Sequence, residues 1–283
     1  MKMLARFVVI ACLCVAPAWA QQLKLIPYPK QVEPGAGTVT VTSSTRIALT
    51  AKHAKADRVA AEMLAEEIQR TTGRKPAISA AVANAILLTR LEPRAGDDPL
   101  FKDQGYTIEV KNGRIVVAGA SDAGLFYGVQ TLRQLMRPDG KKIAVPEISI
   151  RDWPSMKWRG VHDDLSRGPI AKLEFLKNQI RILSEYKINM FSPYMEAVFA
   201  YKNHPLIAPQ EAAVTPEEAR ELVKYAAQYY VTVVPEQEAF GHLHNILKYE
   251  LYTDLAETPH GHVLAPGQEG SYTLIQQMFD QLA

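Results

Sequence analysis

The chain has 283 residues, of which 47% are hydrophobic and 22% are charged. These fractions are ordinary for a soluble globular protein, and the length suffices for one large domain or two ordinary ones. The formal net charge is +2, without a long run of either sign. This balance argues against nucleic acid or an acidic membrane surface as a partner.

The first 20 residues have the pattern of a secretory signal peptide. Basic residues precede a short apolar stretch, and Ala18 and Ala20 form an A-x-A cleavage pattern. The stretch is shorter than the about 20 residues that span a bilayer, and a membrane anchor is the alternative. Both cysteines, Cys12 and Cys14, lie inside this segment. We therefore expect a periplasmic or secreted protein that has no disulfide and no membrane contact after cleavage.

Residues 21–150 are predicted to form an α+β domain. The alternation T-V-T-V-T and the run A-I-L-L-T-R-L indicate strands. Apolar residues at helical spacing before Gly73 indicate a helix that this glycine caps, and Asp122 is the expected N-cap of a second helix. Asn112-Gly113 predicts a hairpin with a primed turn.

From residue 151 onwards, strand patterns and helix patterns alternate. The stretches W-R-G-V-H-D-D-L, K-I-N-M-F-S-P-Y and Y-V-T-V-V-P-E indicate three strands, each followed by a helix. The second helix begins with a capping box formed by Thr215 and Glu218, with Pro216 in its first turn. Three strand–helix units imply a parallel sheet, which could belong to a doubly wound fold or a (β/α)8 barrel.

The length of the loops after the strands favours the barrel, because barrel enzymes place their chemistry at the C-terminal ends of the strands. A complete barrel needs about 250 residues, whereas only residues 151–283 remain. We therefore expect an α/β protein that consists of an α+β domain and the first three strand–helix units of a TIM barrel. On this interpretation, residues 151–283 are an incomplete catalytic barrel.

Polar residues cluster on the first two predicted strands. Alternation places Arg159 and Asp163 on one face of the first strand and His162 and Asp164 on the other. We expect the arginine on the inward face, where it must meet a ligand hydroxyl or form an ion pair with one of the aspartates.

The mouths of the second and third strands carry further candidates. Tyr194 could pack against a sugar ring and Glu196 lies beside it, although packing and a solvated surface are the alternatives. After the third strand come Glu236, Glu238 and His242. A metal site is a weak interpretation of this stretch, since the H-E-x-x-H pattern is absent. We therefore expect neither a metal nor another cofactor.

Four stretches together resemble glycoside hydrolase family 20, the β-N-acetylhexosaminidases, and they extend from about residue 25 to 245. They are L-I-P-Y-P-K-Q-V, A-G-L-F-Y-G-V-Q-T-L-R-Q-L, I-R-D-W-P-S-M-K-W-R-G-V-H-D-D-L-S-R-G and V-V-P-E-Q-E-A-F-G-H. The resemblance implies an N-terminal accessory domain before the barrel. It also implies cleavage of terminal N-acetylhexosamine from oligosaccharides or glycans, in which the sugar's own 2-acetamido group attacks the anomeric carbon.

The resemblance also assigns roles to residues. Arg159 matches the family's arginine that binds hydroxyls of the terminal sugar, and His242 matches a histidine that supports the acid. Glu236 is expected to support the pocket wall, while Tyr194 and Glu196, with Glu238, are expected to contact the sugar. The family's Asp-Glu pair is expected beyond Ala283, at the end of a fourth strand.

This sequence departs from the family pattern in three places. Residues 151–283 contain no Asp-Glu dipeptide, and F-S-P-Y-M-E-A-V-F-A-Y replaces a tract that is usually rich in His and Asp. Gly168 stands where a histidine is common. The sugar specificity therefore stays open, and so does a carbohydrate-binding protein without the acid. A third hypothesis is a metal-dependent barrel hydrolase that uses His162, Asp164, Glu236 and His242.

Overall fold

The computed structural model describes residues 23–80, 85–209 and 211–283. The predicted signal peptide, residues 1–20, lies outside these ranges. Among the helices within them, none combines the length and apolar character that crossing a bilayer would require.

The first half of the described chain forms a mixed eight-stranded sheet in the order β1-β8-β5-β6-β4-β2-β3, with β7 beside β8. Its strands are β1 (Gln31–Val41), β2 (Arg46–Leu49), β3 (Ile78–Ser79), β4 (Ala85–Arg90), β5 (Tyr106–Lys111), β6 (Arg114–Gly119), β7 (Arg137–Asp139) and β8 (Lys142–Asp152). Its helices are α1 (Arg58–Thr72), α2 (Pro99–Gln104) and α3 (Asp122–Leu135), and a 3-10 turn spans Ala51–His53. Helices α1 and α3 pack against each other and against the sheet.

Local sequence accounts for most of these elements. Helix α1 ends at Gly73, whose φ of 77° is the left-handed conformation that glycine adopts without strain. Asn112 and Gly113 have φ values of 53° and 74°, which confirms the primed turn between β5 and β6. The N-cap of α3 is a correction: it is Ser121, whose hydroxyl accepts a hydrogen bond from the Gly124 amide, and not the predicted residue that follows it.

The second half forms a parallel sheet in which β10 lies between β9 on one side and β11 and β12 on the other. Its strands are β9 (Gly160–Asp164), β10 (Met190–Met195), β11 (Thr232–Val233) and β12 (Glu236–Gln237). Its helices are α4 (Leu173–Glu185), α5 (Pro216–Ala227), α6 (His244–Leu247), α7 (Glu250–Thr253) and α8 (Glu269–Leu282). The three predicted strand–helix units are thereby confirmed.

Two details of this half follow from single residues. The third strand consists of two short ladders because Pro235, which lies between them, has no amide hydrogen to donate. The capping box of α5 is confirmed: Thr215 Oγ1 accepts from the Glu218 amide at 3.2 Å, and the Glu218 carboxylate accepts from the Thr215 amide at 3.0 Å.

A buried polar joint connects the two sheets. Lys187 Nζ lies 2.8 Å from Tyr106 Oη and 3.4 Å from Asp152 Oδ2, and Tyr106 Oη donates to the same carboxylate at 2.6 Å. Nearby, Arg133 on α3 forms an ion pair of 3.1 Å with Glu185 on α4. Because burial leaves these groups few other partners, the joint fixes the small sheet against the large one.

Candidate functional site

The strand register shows which side chains share the inner face of the parallel sheet. His162 is paired with Ser192, and Tyr194 is paired with both Asp164 and Glu236, so these residues point to the same side. The opposite side of β9 faces the helices, since the Asp163 carboxylate accepts a hydrogen bond of 2.8 Å from Gln179 on α4. The inner face is therefore the one that carries His162 and Asp164.

Arg159 lies away from this face, which contradicts the expectation that it binds substrate. It precedes β9, at the opposite end of the strand from Asp164. Its guanidinium donates to the Lys187 carbonyl at 2.8 Å and to Gln104 Oε1 at 2.8 Å. It also lies over the ring of Tyr127 on α3, 5.3 Å from the centroid. Arg159 is thus part of the contact between the sheets.

A different arginine, Arg167, occupies the C-terminal end of the strands. Its guanidinium contacts Asp164 Oδ2 at 2.5 Å and Glu196 Oε1 at 2.9 Å, and it lies 5.2 Å from the ring centroid of Tyr194. The signal that sequence reasoning missed is its position three residues after the aspartate that ends β9. An arginine there points into the loop layer, where barrel enzymes bind their substrates.

The backbone at Asp164 explains how Arg167 is held. Asp164 Oδ1 accepts from the amide of Ser166 at 2.8 Å and from the amide of Arg167 at 3.2 Å, a local turn that aspartate favours. The hydrogen bond from the guanidinium is the main reason why the pKa of Asp164 lies below its usual range. The carboxylate therefore stays ionised and keeps the arginine in place.

Tyr194 connects the arginine to the second strand. Tyr194 is 6% exposed, and its hydroxyl donates to Glu196 Oε1 at 3.0 Å. The pKa of Tyr194 is raised to about 12, chiefly by burial; Glu196 and Glu238 also raise it, whereas Arg167 lowers it. The hydroxyl is therefore a neutral group at physiological pH, as the predicted contact with a sugar requires.

Gln237, which the sequence interpretation overlooked, orients Glu196 from behind. Its side chain is buried, and it donates to the Glu196 carbonyl at 2.9 Å while it accepts from Tyr201 Oη at 2.8 Å. The Ser166 hydroxyl accepts from the Glu196 amide at 2.8 Å. Gln237 and Ser166 therefore fix the backbone of Glu196.

His242 lies beside the same cluster. Its Nδ1 is 3.4 Å from an Nη atom of Arg167 and 3.8 Å from Glu196 Oε1. Because a guanidinium only donates, Nδ1 accepts and Nε2 carries the proton of the neutral ring. The backbone of His242 has a φ of 55°, which is uncommon outside glycine and is often found at functional sites.

Glu236 and Glu238 occupy different surroundings at the end of the third strand. Glu236 Oε2 lies 3.0 Å from His162 Nε2, and both side chains are about half exposed, 50% and 55% respectively. Glu238 is half-buried and is the second carboxylate that raises the pKa of Tyr194. The predicted site residues other than Arg159 thus all lie at the C-terminal end of the parallel sheet. They are Tyr194, Glu196, Glu236, Glu238 and His242.

The residues on which the metal-site alternative was built have other partners in this structure. Within the described ranges, no group of three or more His, Cys, Asp or Glu side chains is arranged to hold a metal ion. Asp164 is engaged by Arg167, and His162 pairs with Glu236 rather than with His242.

A cavity of about 390 Å³ is lined in part by Glu196. It lies between the loops that follow β9 and β10 and the short helix α6. Its lining combines an apolar floor, which includes Leu165 and Val198, with Ser166, Asn245 and Lys248.

Two family models match this chain. One is described as glycosyl hydrolase family 20, domain 2, and covers residues 22–153; the other is described as glycosyl hydrolase family 20, catalytic domain, and covers residues 191–283. The parallel strand–helix units with polar residues at the strand ends have the architecture of the TIM-barrel class. The chain belongs to glycoside hydrolase family 20.

Curated proteins agree with this assignment. A β-hexosaminidase of Vibrio furnissii is 26% identical over 93% of this chain and 47% of its own length. A β-hexosaminidase of Porphyromonas gingivalis is 26% identical over 80% of this chain and 31% of its own length. The chain therefore spans about half, or less, of the length of these relatives.

Solved structures have the same fold. The family 20 β-N-acetylhexosaminidase of Streptomyces coelicolor A3(2) has a TM-score of 0.79 at 25% identity, over 91% of this chain and 56% of that one. A mutant Streptomyces plicatus β-hexosaminidase in complex with its product GlcNAc has a TM-score of 0.78 at 25% identity, with the same coverage of both chains.

Proposed function

We propose that the protein is a β-N-acetylhexosaminidase, which removes terminal N-acetyl-β-D-hexosamine from oligosaccharides or glycans. The observation that carries this proposal is the Arg167 cluster at the C-terminal ends of the first three barrel strands of a family 20 chain. Relatives named β-hexosaminidase and a neighbour in complex with GlcNAc support the choice of substrate.

The residues of this chain would bind and orient the sugar. The Arg167 guanidinium, fixed between Asp164 and Glu196, presents its remaining N–H groups in a rigid plane that suits neighbouring ring hydroxyls. Tyr194 adds a neutral hydroxyl and an aromatic edge. His242, in contact with the same arginine, supports the protonation of the acid.

The retaining, substrate-assisted reaction needs an aspartate to orient the acetamide and a glutamate to protonate the leaving oxygen, as the family resemblance implies. Residues 151–283 contain no such Asp-Glu pair. No residue between 151 and 283 is therefore assigned to proton transfer, and because the chain spans about half, or less, of its relatives' length, activity is measured on the full-length gene product.

The test is hydrolysis of 4-nitrophenyl N-acetyl-β-D-glucosaminide, with 4-nitrophenyl β-D-glucoside as the matched control that lacks the acetamido group. We expect turnover of the first substrate only, unchanged by a metal chelator. Absence of turnover on N-acetylglucosaminides and N-acetylgalactosaminides would refute the proposal. Binding of these sugars without turnover would instead support the carbohydrate-binding alternative.

We also propose that the protein is exported to the periplasm or secreted, on the evidence of the N-terminal pattern alone. Expression in a Gram-negative host followed by N-terminal sequencing tests this point. The expected mature protein begins at Gln21. An uncleaved protein in the cytoplasm would contradict it.

A further inference from the structure

His162 and Glu236 form a pair outside the Arg167 cluster, and the family resemblance assigns no role to His162. The pair lies on the inner face of the sheet and joins the first strand to the third across β10. Both side chains remain about half exposed, at 55% and 50%. They are therefore accessible to a ligand that enters from the strand ends.

The contacts of the pair are directional. His162 Nε2 is 3.0 Å from Glu236 Oε2, and the Ser192 hydroxyl lies 3.4 Å from the same oxygen. The imidazole edge packs against the ring of Tyr194, with 5.6 Å between the centroids and 83° between the planes. The ring is thus held by Glu236 at one nitrogen and by Tyr194 through a ring contact.

This arrangement determines the tautomer of the neutral ring. An ionised carboxylate only accepts, so Nε2 carries the hydrogen and Nδ1 carries the lone pair. Within the part of the chain that the structure describes, Nδ1 of His162 has no hydrogen-bond partner. A half-exposed contact between a histidine and a carboxylate stabilises a fold very little, so stability explains little of why the pair lies on the inner face.

We propose that His162 binds the substrate, with Nδ1 accepting a hydrogen bond from a sugar hydroxyl, and that Glu236 is a positioning residue that fixes the required tautomer. The inference rests on the proposed function and extends it by a contact that helps to select the sugar. His162 would then supply a hydrogen-bond acceptor on the inner face of the sheet, whereas Arg167 supplies donors from the loop that follows β9.

Histidine ¹⁵N NMR tests the binding step without any need for turnover. The protein is labelled at histidine, and the spectrum of His162→Leu assigns the resonances. We expect Nδ1 of His162 to be the unprotonated nitrogen and to move upfield when N-acetylglucosamine is added. In Glu236→Gln, we expect the Nδ1–H tautomer to become populated, because the amide can also donate to Nε2. A protonated Nδ1 in the wild type, or a His162 resonance that does not move at saturating sugar, would overturn the inference.

Kinetics on the 4-nitrophenyl substrate give a second readout. We expect His162→Leu to raise KM about tenfold with kcat unchanged, which is the effect of one lost hydrogen bond. His162→Gln keeps a donor and an acceptor and should retain most of the affinity. His244→Gln, an exposed histidine at the start of α6, is the matched control and should have wild-type kinetics.

The two proposals fail in different ways. Turnover without a sugar-dependent change in the His162 chemical shift would support the hexosaminidase proposal and refute the proposed role of His162. A sugar-dependent shift without turnover would keep the role of His162 and remove the hydrolase. A KM unchanged in His162→Leu would also count against the inference, provided that circular dichroism shows an intact fold.

Discussion

At the scale of single residues, two arginines eight positions apart lie at opposite ends of β9. Arg159 precedes β9 and bonds to Lys187 and Gln104 between the sheets, whereas Arg167 follows β9 and bonds to two carboxylates at the candidate site. Alternation along a strand predicts that residues two apart share a face, but it does not predict which face is inward. That choice is made by the packing of α4, which covers the side of Asp163.

The two arginines are therefore expected to respond differently to the same substitution. Arg167→Lys should lower kcat/KM of the hexosaminidase about 100-fold, because an ammonium group that contacts Asp164 and Glu196 has one N–H left and lacks the planar fork that suits neighbouring hydroxyls. Arg159→Lys should leave kcat/KM within roughly threefold and lower the free energy of unfolding by about 1–3 kcal/mol. Steady-state kinetics and urea unfolding of both variants check this pair, and similar kinetic losses in both would contradict it.

At the scale of secondary-structure elements, local sequence was the best guide. The hairpin between β5 and β6 follows from Asn112-Gly113, and the start of α5 follows from its capping box, because each signal acts over at most four residues. The N-cap of α3 was misplaced by one position, since Ser121 and Asp122 are both good caps and only the backbone conformation of Ser121, with a ψ of 179°, decides between them.

The hairpin turn gives a prediction at this scale. Gly113→Ala should lower the free energy of unfolding by about 1 kcal/mol or more, because a φ of 74° is strained for alanine. Gly267→Ala is the control: a Cβ there meets open space, and its φ lies outside the left-handed region. We expect an effect within about 0.5 kcal/mol for the control. Equal urea midpoints for the two variants would refute the assigned turn.

At the scale of the whole molecule, the polar joint between the sheets is a feature that no local sequence pattern predicted. Lys187 is 5% exposed and has a φ of 62°, and it bonds to Tyr106 on the other sheet. Burial is the main cause that lowers the pKa of Lys187 to about 8, although Asp152 acts in the opposite direction. Burial also raises the pKa of Tyr106 well above its usual value, and the Asp152 charge adds to this.

The joint predicts a specific pH dependence of stability. Unfolded lysine has a pKa of about 10.4, so between pH 8 and about 10 the folded protein binds fewer protons than the unfolded chain. The contribution of Lys187 to stability therefore rises with pH in this window and is smallest below it. From pH 8 to 9.5, the wild type should gain about 1–2 kcal/mol relative to Lys187→Met.

Urea unfolding of both proteins at the two pH values measures this difference. Above about pH 10, ionisation of tyrosine in the unfolded chain reverses the trend through Tyr106, so the comparison stays below that value. Parallel pH profiles for the wild type and Lys187→Met would show that the joint is not buried as described.

The sequence by itself determined what depends on near neighbours and on whole-chain patterning. It predicted the primed turn, the capping box of α5 and the alternation of three strand–helix units, because each is encoded by residues close together in the chain. Its motifs also predicted the family and the residues at the strand ends, including Tyr194, Glu196 and His242.

Only the tertiary structure decided which polar residues meet. These meetings depend on contacts between segments that are far apart in sequence. Examples are the contact of Arg167, rather than Arg159, with Glu196, the support of Glu196 by Gln237, and the pairing of His162 with Glu236. Such contacts are set by which face of β9 the helix α4 covers and by the register of β9, β10 and β12. The alternation of side chains along a strand predicts neither the covered face nor the register, since the alternation is the same whichever side faces the core.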